Sequence, residues 1–381
     1  MAERPDQSGP VAVYGATGYT GRLVAAELKR RGADFVLAGR NAGKLDALAA
    51  RLGGDIPTAA VPLDDGPGLR DLLEPCAAVI ACAGPFSAHG EPVLAAATDA
   101  GTHYLDTTGE QPFIELALDA YGRRAERAGS IVVPAMGFDY APGDMIAALT
   151  AAGIEKPDEV VVAYSLRGFG MSRGTMRSGL RIMGSGDVEY RDGAWRPASG
   201  SVDRGTFEFP PPVGPQRAIR YPSGEPITVP RHVATRTVSS VFSAESVLPS
   251  AHLARAAPVF MPAIQLAMRT PLRRVGELAI DRLPEGPDEE SRRATRFMIV
   301  CEVRKGGTRR RGVVTGSDVY GLTAFTTAHA ALLAAAPGYE RRGALAQSQA
   351  FDPDDFLAAL DEFGVDHEVD PLREPVQAQQ R

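Results

Sequence analysis

From residue 11 to about residue 145, short apolar runs alternate with stretches whose apolar positions recur every three to four residues. The runs at 11–14, 35–38, 59–63, 78–82, 103–106 and 131–133 read as six buried strands. Between them, 22–31, 44–52, 68–73, 91–100 and 113–128 carry the helical period, several of them closed by glycine. Strand and helix in alternation predict an α/β unit over 8–145, built on a doubly wound parallel sheet.

Past residue 145 the pattern changes. Segments 160–165, 188–195, 296–305 and 312–317 read as strands, with turns at Asp192-Gly193 and Gly306-Gly307. Segments 178–183, 244–282 and 322–335 read as helical, and 216–233 as extended and punctuated by proline. This predicts a second, α+β domain over 146–340 with a mainly antiparallel sheet, suited to holding substrate and leaving a homodimer open. Residues 341–373 read as a segment that packs back, its helix starting at Asp352-Pro353. The polar stretch 374–381 is expected to be disordered.

Composition narrows the partners. With a net charge of −6, nucleic acid is not expected. The run Arg309-Arg310-Arg311 near Lys305 falls on a hairpin and reads as a solvated edge. Cys76, Cys82 and Cys301 form no Cys-x-x-Cys pair and the six histidines are scattered, so no metal site is expected. The first nine residues are polar, without an apolar signal core, and no run reaches the ~18 apolar residues of a spanning helix. The most apolar stretch, 251–268, is broken by Arg255, Pro258 and Pro262 and leaves peripheral membrane contact open. A cytoplasmic location is expected.

The first strand runs into Gly15-Ala16-Thr17-Gly18-Tyr19-Thr20-Gly21, and a helix follows at once. Glycines there allow a tight turn and close approach of a pyrophosphate, whose charge the helix N-terminus favours. That is the dinucleotide loop of a Rossmann domain. Where an NAD site places an acid after the second strand, this chain has Arg40, followed by Asn41 and, one turn on, Lys44. A guanidinium there can fork onto a 2′-phosphate, so NADP(H) is the expected cofactor. Asp64, after the third strand, falls where such folds contact adenine. Ala83-Gly84-Pro85-Phe86 ends the fourth strand, and its small residues let a flat nicotinamide lie against the backbone.

For the chemistry, the Tyr-x-x-x-Lys relay of short-chain dehydrogenases is absent: no tyrosine has Lys29, Lys44, Lys156 or Lys305 four residues on. Asp106, Glu110 and Tyr140 follow the fifth and sixth strands and are the candidate proton donors or relays. Asp106 and Glu110 could equally cap a helix. Phe86, His89, Tyr104, Thr108, Asp139 and Tyr320 are the candidate substrate contacts.

The chain resembles the saccharopine dehydrogenase-like oxidoreductases, most of all their bacterial trans-acting enoyl reductase branch. The resemblance rests on G-A-T-G-Y-T-G at 15–21, L-A-G-R-N at 37–41, A-G-P-F at 83–86 and G-E-P at 90–92. It continues in G-T-H-Y-L-D-T-T-G-E at 101–110, G-F-D-Y-A-P-G-D at 137–144, L-P-E-G-P at 283–287 and G-S-D-V-Y-G-L-T-A at 316–324. It departs at Ala88-His89, where an aromatic residue is expected, and at 343–348. The resemblance implies a Rossmann domain, a second α+β domain with substrate between the two, and hydride transfer from NADPH. The acceptor it implies is the conjugated C=C of a small or carrier-bound acyl or polyketide intermediate. Reduction of C=N, or NADP(H) binding without catalysis, are the alternatives.

Overall fold

The structure, a computed structural model, describes residues 7–53, 55–138, 140–184, 187–199, 201–247, 270, 276 and 278–372. Strands β1 (Val11–Tyr14), β2 (Phe35–Gly39), β3 (Thr58–Ala60), β4 (Ala78–Ala81), β5 (His103–Asp106) and β6 (Ile131–Val133) pair in parallel in the order β3-β2-β1-β4-β5-β6. The order reverses between β1 and β4, and a crevice for ligand opens at the carboxyl ends of strands about such a point. Helices α1 (Tyr19–Arg30), α2 (Ala42–Leu52), α3 (Gly66–Leu73), α4 (Phe86–His89), α5 (Glu91–Ala100), α6 (Gln111–Ala120) and α7 (Gly122–Ala128) connect the strands. Every residue of β1 and β4 is buried, because helices cover both faces.

Three details differ from the pattern-based expectation. The third strand is short, Thr58–Ala60, and lies at the sheet edge. The helix expected over 113–128 is two, broken at Tyr121, whose hydroxyl donates to Glu91 at 3.0 Å and whose neighbour Gly122 has little helical preference. Within 216–233, only the start is strand; Glu225–Thr228 is a helical turn.

After α8 (Ala141–Ala151), the chain builds a second sheet from β7 (Glu159–Arg167), β8 (Val188–Arg191), β9 (Ala194–Pro197), β10 (Asp203–Glu208), β11 (Pro215–Arg220), β12 (Thr237–Ser243), β13 (Arg296–Lys305) and β14 (Thr308–Ser317). Its pairs are antiparallel except β7 with β12. The expected basic hairpin is β13–β14, where Arg304, Arg309 and Arg311 surround the buried carboxylate of Glu302. Helix α9 (Arg173–Gly184) leaves the end of β7. Residues 251–268 and 373–381, which carry the apolar stretch and the tail, lie outside the described residues, as does Asp139.

The last part of the chain returns to both sheets. The long helix Val319–Ala335, grouped by its place in the sequence with the second domain, packs on α1 and on β1, β4 and β5. It is apolar nearly all round, so both of its sides need cover. β15 (Gly343–Ala344) then adds to the first sheet beside β6, and β16 (Asp366–Val369) adds to the second beside β14. Segment 343–348 is therefore a tie. Gln347 Nε2 donates to the carbonyls of Pro134 and Ala135 at 2.8 and 3.0 Å, and Ser348 donates to Asp144 from its N–H at 2.9 Å and its hydroxyl at 2.6 Å. One hydrophobic core runs from Val11 and Val24 through Phe325 to Val160 and Ile299, joining the two sheets.

Candidate active site

The three glycines of the loop do different jobs. Gly15 sits at φ +82°, and a Cβ there would lie 2.9 Å from the Ala83 nitrogen, so β1 can pass β4 only with glycine. A Cβ on Gly21 would lie 2.3 Å from the Gly15 carbonyl oxygen, so that glycine lets α1 press on the loop. Gly18 meets only the Gly15 oxygen, at 3.3 Å, and no side chain caps α1 there. Its open side and the uncapped helix start are what an incoming pyrophosphate needs. Thr17 lends its carbonyl to Arg22 Nη1 at 2.8 Å.

Arg40 follows β2, is exposed, and forms no ion pair among the described residues. Its charge reaches the Tyr14 hydroxyl, which donates to the Val61 carbonyl at 2.9 Å. Lys44 is also exposed. Asn41 is committed: its Oδ1 caps α2 by accepting from Lys44 N at 3.0 Å. Asp64 is exposed near Tyr14, while the cap of α3 is its neighbour Asp65.

At the other end of the crevice Gly84 is exposed and Pro85 buried, joined by a cis peptide. Phe86 turns inward onto Phe113, with ring centroids 5.6 Å apart, so it packs rather than lines the crevice. Glu110 is almost fully buried and spends its carboxylate on three donors. Oε1 accepts from Phe86 N at 2.8 Å and from Ser178 Oγ at 2.9 Å, and Oε2 accepts from Ser87 N at 3.1 Å. It caps α4, not the helix that follows it in sequence. Thr108 is buried and accepts from Glu110 N at 3.1 Å, and His89 lies exposed at the end of α4.

Asp106, at the end of β5, is fully buried. Its Oδ1 accepts from Thr108 N at 2.9 Å and Ala135 N at 2.8 Å, knotting the loop after β5 to the loop after β6. Its Oδ2 has no hydrogen bond among the described residues; the Tyr104 hydroxyl lies near enough to favour the charged form but is not aligned to bond it. Burial pushes the carboxyl up to about 7 against the pull of those two N–H groups. Tyr104 itself is fully buried in the core. Tyr140 is also fully buried and donates to the Gly109 carbonyl at 3.0 Å. The candidate acids thus hold the crevice's backbone in shape.

Tyr320 is buried beside the glycine loop: its ring meets Tyr19 edge-on at 5.0 Å and stacks on Phe169 at 5.7 Å. Its hydroxyl accepts from Ser172 N at 2.7 Å and pairs with Thr175 Oγ1 at 2.8 Å. Ser172, Thr175 and Ser178 fall three residues apart, so one face of α9 lies along the crevice from Tyr320 to Glu110. That recurrence was the available signal for Ser178, which motif reasoning missed. Also missed was the strap 283–287 across α1. Tyr19 donates to the Pro287 carbonyl at 2.8 Å, and Arg22 forks onto Glu285 at 3.0 and 2.8 Å.

An open glycine at a helix start, an unpaired arginine after β2 and a bare backbone edge after β4 together fit a 2′-phosphorylated dinucleotide. The comparisons agree. Residues 11–133 match the saccharopine dehydrogenase NADP-binding domain, so the first domain is an NADP(H)-binding Rossmann domain. Across the whole chain the fold is that of apo saccharopine dehydrogenase (L-Glu forming) of Saccharomyces cerevisiae. The match has a TM-score of 0.60 and 14% identity, and covers 96% of this chain and 100% of that one. The chain thus carries a saccharopine dehydrogenase-type NADP-binding domain at 11–133 and shares the overall fold of a saccharopine dehydrogenase.

In particular, it is 35% identical over 220 residues to a Mycobacterium tuberculosis protein provisionally named a trans-acting enoyl reductase, covering 54% of this chain and 51% of the relative. It is 34% identical over 140 residues to the trans-acting enoyl reductase of Mycobacterium ulcerans, covering 35% of this chain and 34% of the relative. The chain spans about half the length, or less, of these curated relatives.

Proposed function

We propose that the protein is an NADPH-dependent reductase of an activated carbon–carbon double bond in an acyl or polyketide-type intermediate, free or carrier-bound. The carrying observation is the commitment of the acids around the crevice: Asp106 and Glu110 are buried and bonded to backbone, and the Tyr140 hydroxyl is bonded to Gly109. An acceptor that spreads charge onto its own conjugated carbonyl needs orientation and hydrogen-bond donors more than a fixed acid. The names of the mycobacterial relatives support the same acceptor.

Arg40, with Lys44 beside it, would hold the 2′-phosphate. The loop Gly15–Gly21 would hold the pyrophosphate, and Ala83, Gly84 and Pro85 would flank the ring. Bound there, NADPH would supply a hydride to the carbon β to the carbonyl, and water would supply the proton taken up at the α-carbon.

The experiment uses NADPH carrying deuterium at the transferable position, offered with an α,β-unsaturated thioester and with imines. Label on the carbon β to the thioester carbonyl is the expected outcome. Turnover of imines alone would replace this reading with C=N reduction, and tight NADPH binding with no transfer would make the protein a binder of the dinucleotide. As a cross-check, Glu110→Gln and Asp106→Asn should keep measurable activity on the thioester, since neither is asked to deliver a proton.

A further inference from the structure

One side chain at the crevice has no part in the cofactor assignment above. Ser178 projects from α9, in the part of the chain that builds the second sheet, back onto the loop after β4. Its hydroxyl donates to Glu110 Oε1 at 2.9 Å. A Cβ built on Gly84 would lie 3.8 Å from Ser178 Oγ, so the hydroxyl and the exposed Gly84 backbone border the same space. Ser178 is partly exposed, while Glu110 beneath it is almost fully buried.

The bonding state of Glu110 fixes what Ser178 can offer. A carboxylate only accepts, and this one accepts from two backbone N–H groups and one hydroxyl. A serine hydroxyl has one proton, and here it is spent on Glu110. What remains toward the crevice is lone-pair density, so the group that completes Ser178 must be an N–H or O–H donor.

A nicotinamide ring lying along Ala83-Gly84-Pro85 carries one such donor, the NH2 of its carboxamide. We propose that Ser178, oriented by Glu110, accepts a hydrogen bond from the nicotinamide carboxamide and so fixes the rotation of the ring in the crevice. Ser178 is then a cofactor-reading residue supplied by α9, and Glu110 is its positioning residue. The same carboxylate holds Phe86 and Ser87, so the backbone beside the ring and the hydroxyl reading the ring are set by one group. The proposal rests on the placement of the nicotinamide at Ala83–Pro85.

The test compares NADP+ with its 3-acetylpyridine analogue, in which a methyl ketone replaces the carboxamide and the N–H donor is lost. Affinities are read by calorimetry on the full chain, with no substrate and no turnover. Wild type should bind NADP+ on the order of three- to tenfold more tightly than the analogue, the worth of one neutral hydrogen bond. Ser178→Ala should weaken NADP+ by that factor and leave the analogue unchanged, so the discrimination disappears. Ser178→Thr keeps the hydroxyl and should restore it, which separates the contact from any effect on folding. Equal weakening of both ligands by Ser178→Ala, or undiminished discrimination, would overturn the proposal. Failure of wild type to bind either dinucleotide would remove the cofactor assignment and this inference with it.

Discussion

Arg40 is the residue on which cofactor choice turns in the proposed site. It is exposed and pairs with no acid among the described residues, which leaves its guanidinium available to a 2′-phosphate. Arg40→Ala should weaken NADPH binding by roughly 1.5–3 kcal/mol, the range for hydrogen bonds to charged groups. NADH should be barely affected, and equal losses in titrations with the two would refute the assignment. The place of Arg40 was legible in the sequence because position alone gives it: it directly follows the second strand, where the proposed site puts the adenosine ribose. Asn41 and Asp106 were not legible in the same way. A side-chain oxygen serves a helix cap or a buried knot as well as it serves a ligand, and only the partner decides. For Asp106 the partners are the N–H groups of Thr108 and Ala135, the second at φ 59°, a backbone conformation no pattern of apolar residues announces.

Asp106 also has a measurable signature. Its folded pKa, raised to about 7 by burial, stands above the ordinary aspartate value of 3.8. Between those values the folded chain keeps a proton that the unfolded chain releases. Its contribution is therefore complete below about pH 4 and is lost as pH rises to about 7, by at most ~1.4 kcal/mol per pH unit. Asp106→Asn keeps the acceptor for both N–H groups, so it should flatten this part of the slope and raise the denaturation midpoint at pH 8. Glu225, fully buried and likewise raised to about 7 by burial, has the same sign, so a slope remains in the single variant. A steeper fall of Asp106→Asn with pH would contradict the assignment.

Among the elements, the turn from β1 into α1 offers the sharpest contrast. Gly18→Val adds a side chain on the open side of the loop, where only the Gly15 oxygen lies near, so the fold should persist while dinucleotide binding is lost. Gly21→Val puts its Cβ within 2.3 Å of that same oxygen, so α1 must move off the sheet, and thermal stability should fall together with binding. Melting curves beside binding titrations separate the two, and normal NADPH affinity in a folded Gly18→Val would place the pyrophosphate elsewhere. The turn could be read from sequence because strand, glycines and helix are contiguous. α9 could not: its face toward the crevice is defined by Tyr320 and Glu110, which are distant in sequence. Nor could the break at Tyr121, since a periodic apolar stripe continues through it.

For the whole molecule, alternation of strand and helix was enough to anticipate the first sheet, and the turns at Asp192-Gly193 and Gly306-Gly307 the hairpins of the second. What escaped was the assignment of late segments to early layers. The long helix Val319–Ala335 has no polar face to show which sheet it covers, and β15 is two residues long, too short for any period. Both belong to the first sheet because of what β1, β4, β5 and β6 leave uncovered.

That return has a consequence for how the chain is made. β15 pairs with β6, and the long helix closes the face over β1, β4 and β5, only after roughly two hundred further residues have been synthesised, a strongly non-local closure. While the ribosome is still translating the second sheet, the nascent nucleotide domain presents an open edge at β6 and an uncovered apolar face. Such surfaces invite pairing with other unfinished chains. The dinucleotide site is thus assembled early in translation on a sheet that is finished late, and chaperone demand should be concentrated in that interval.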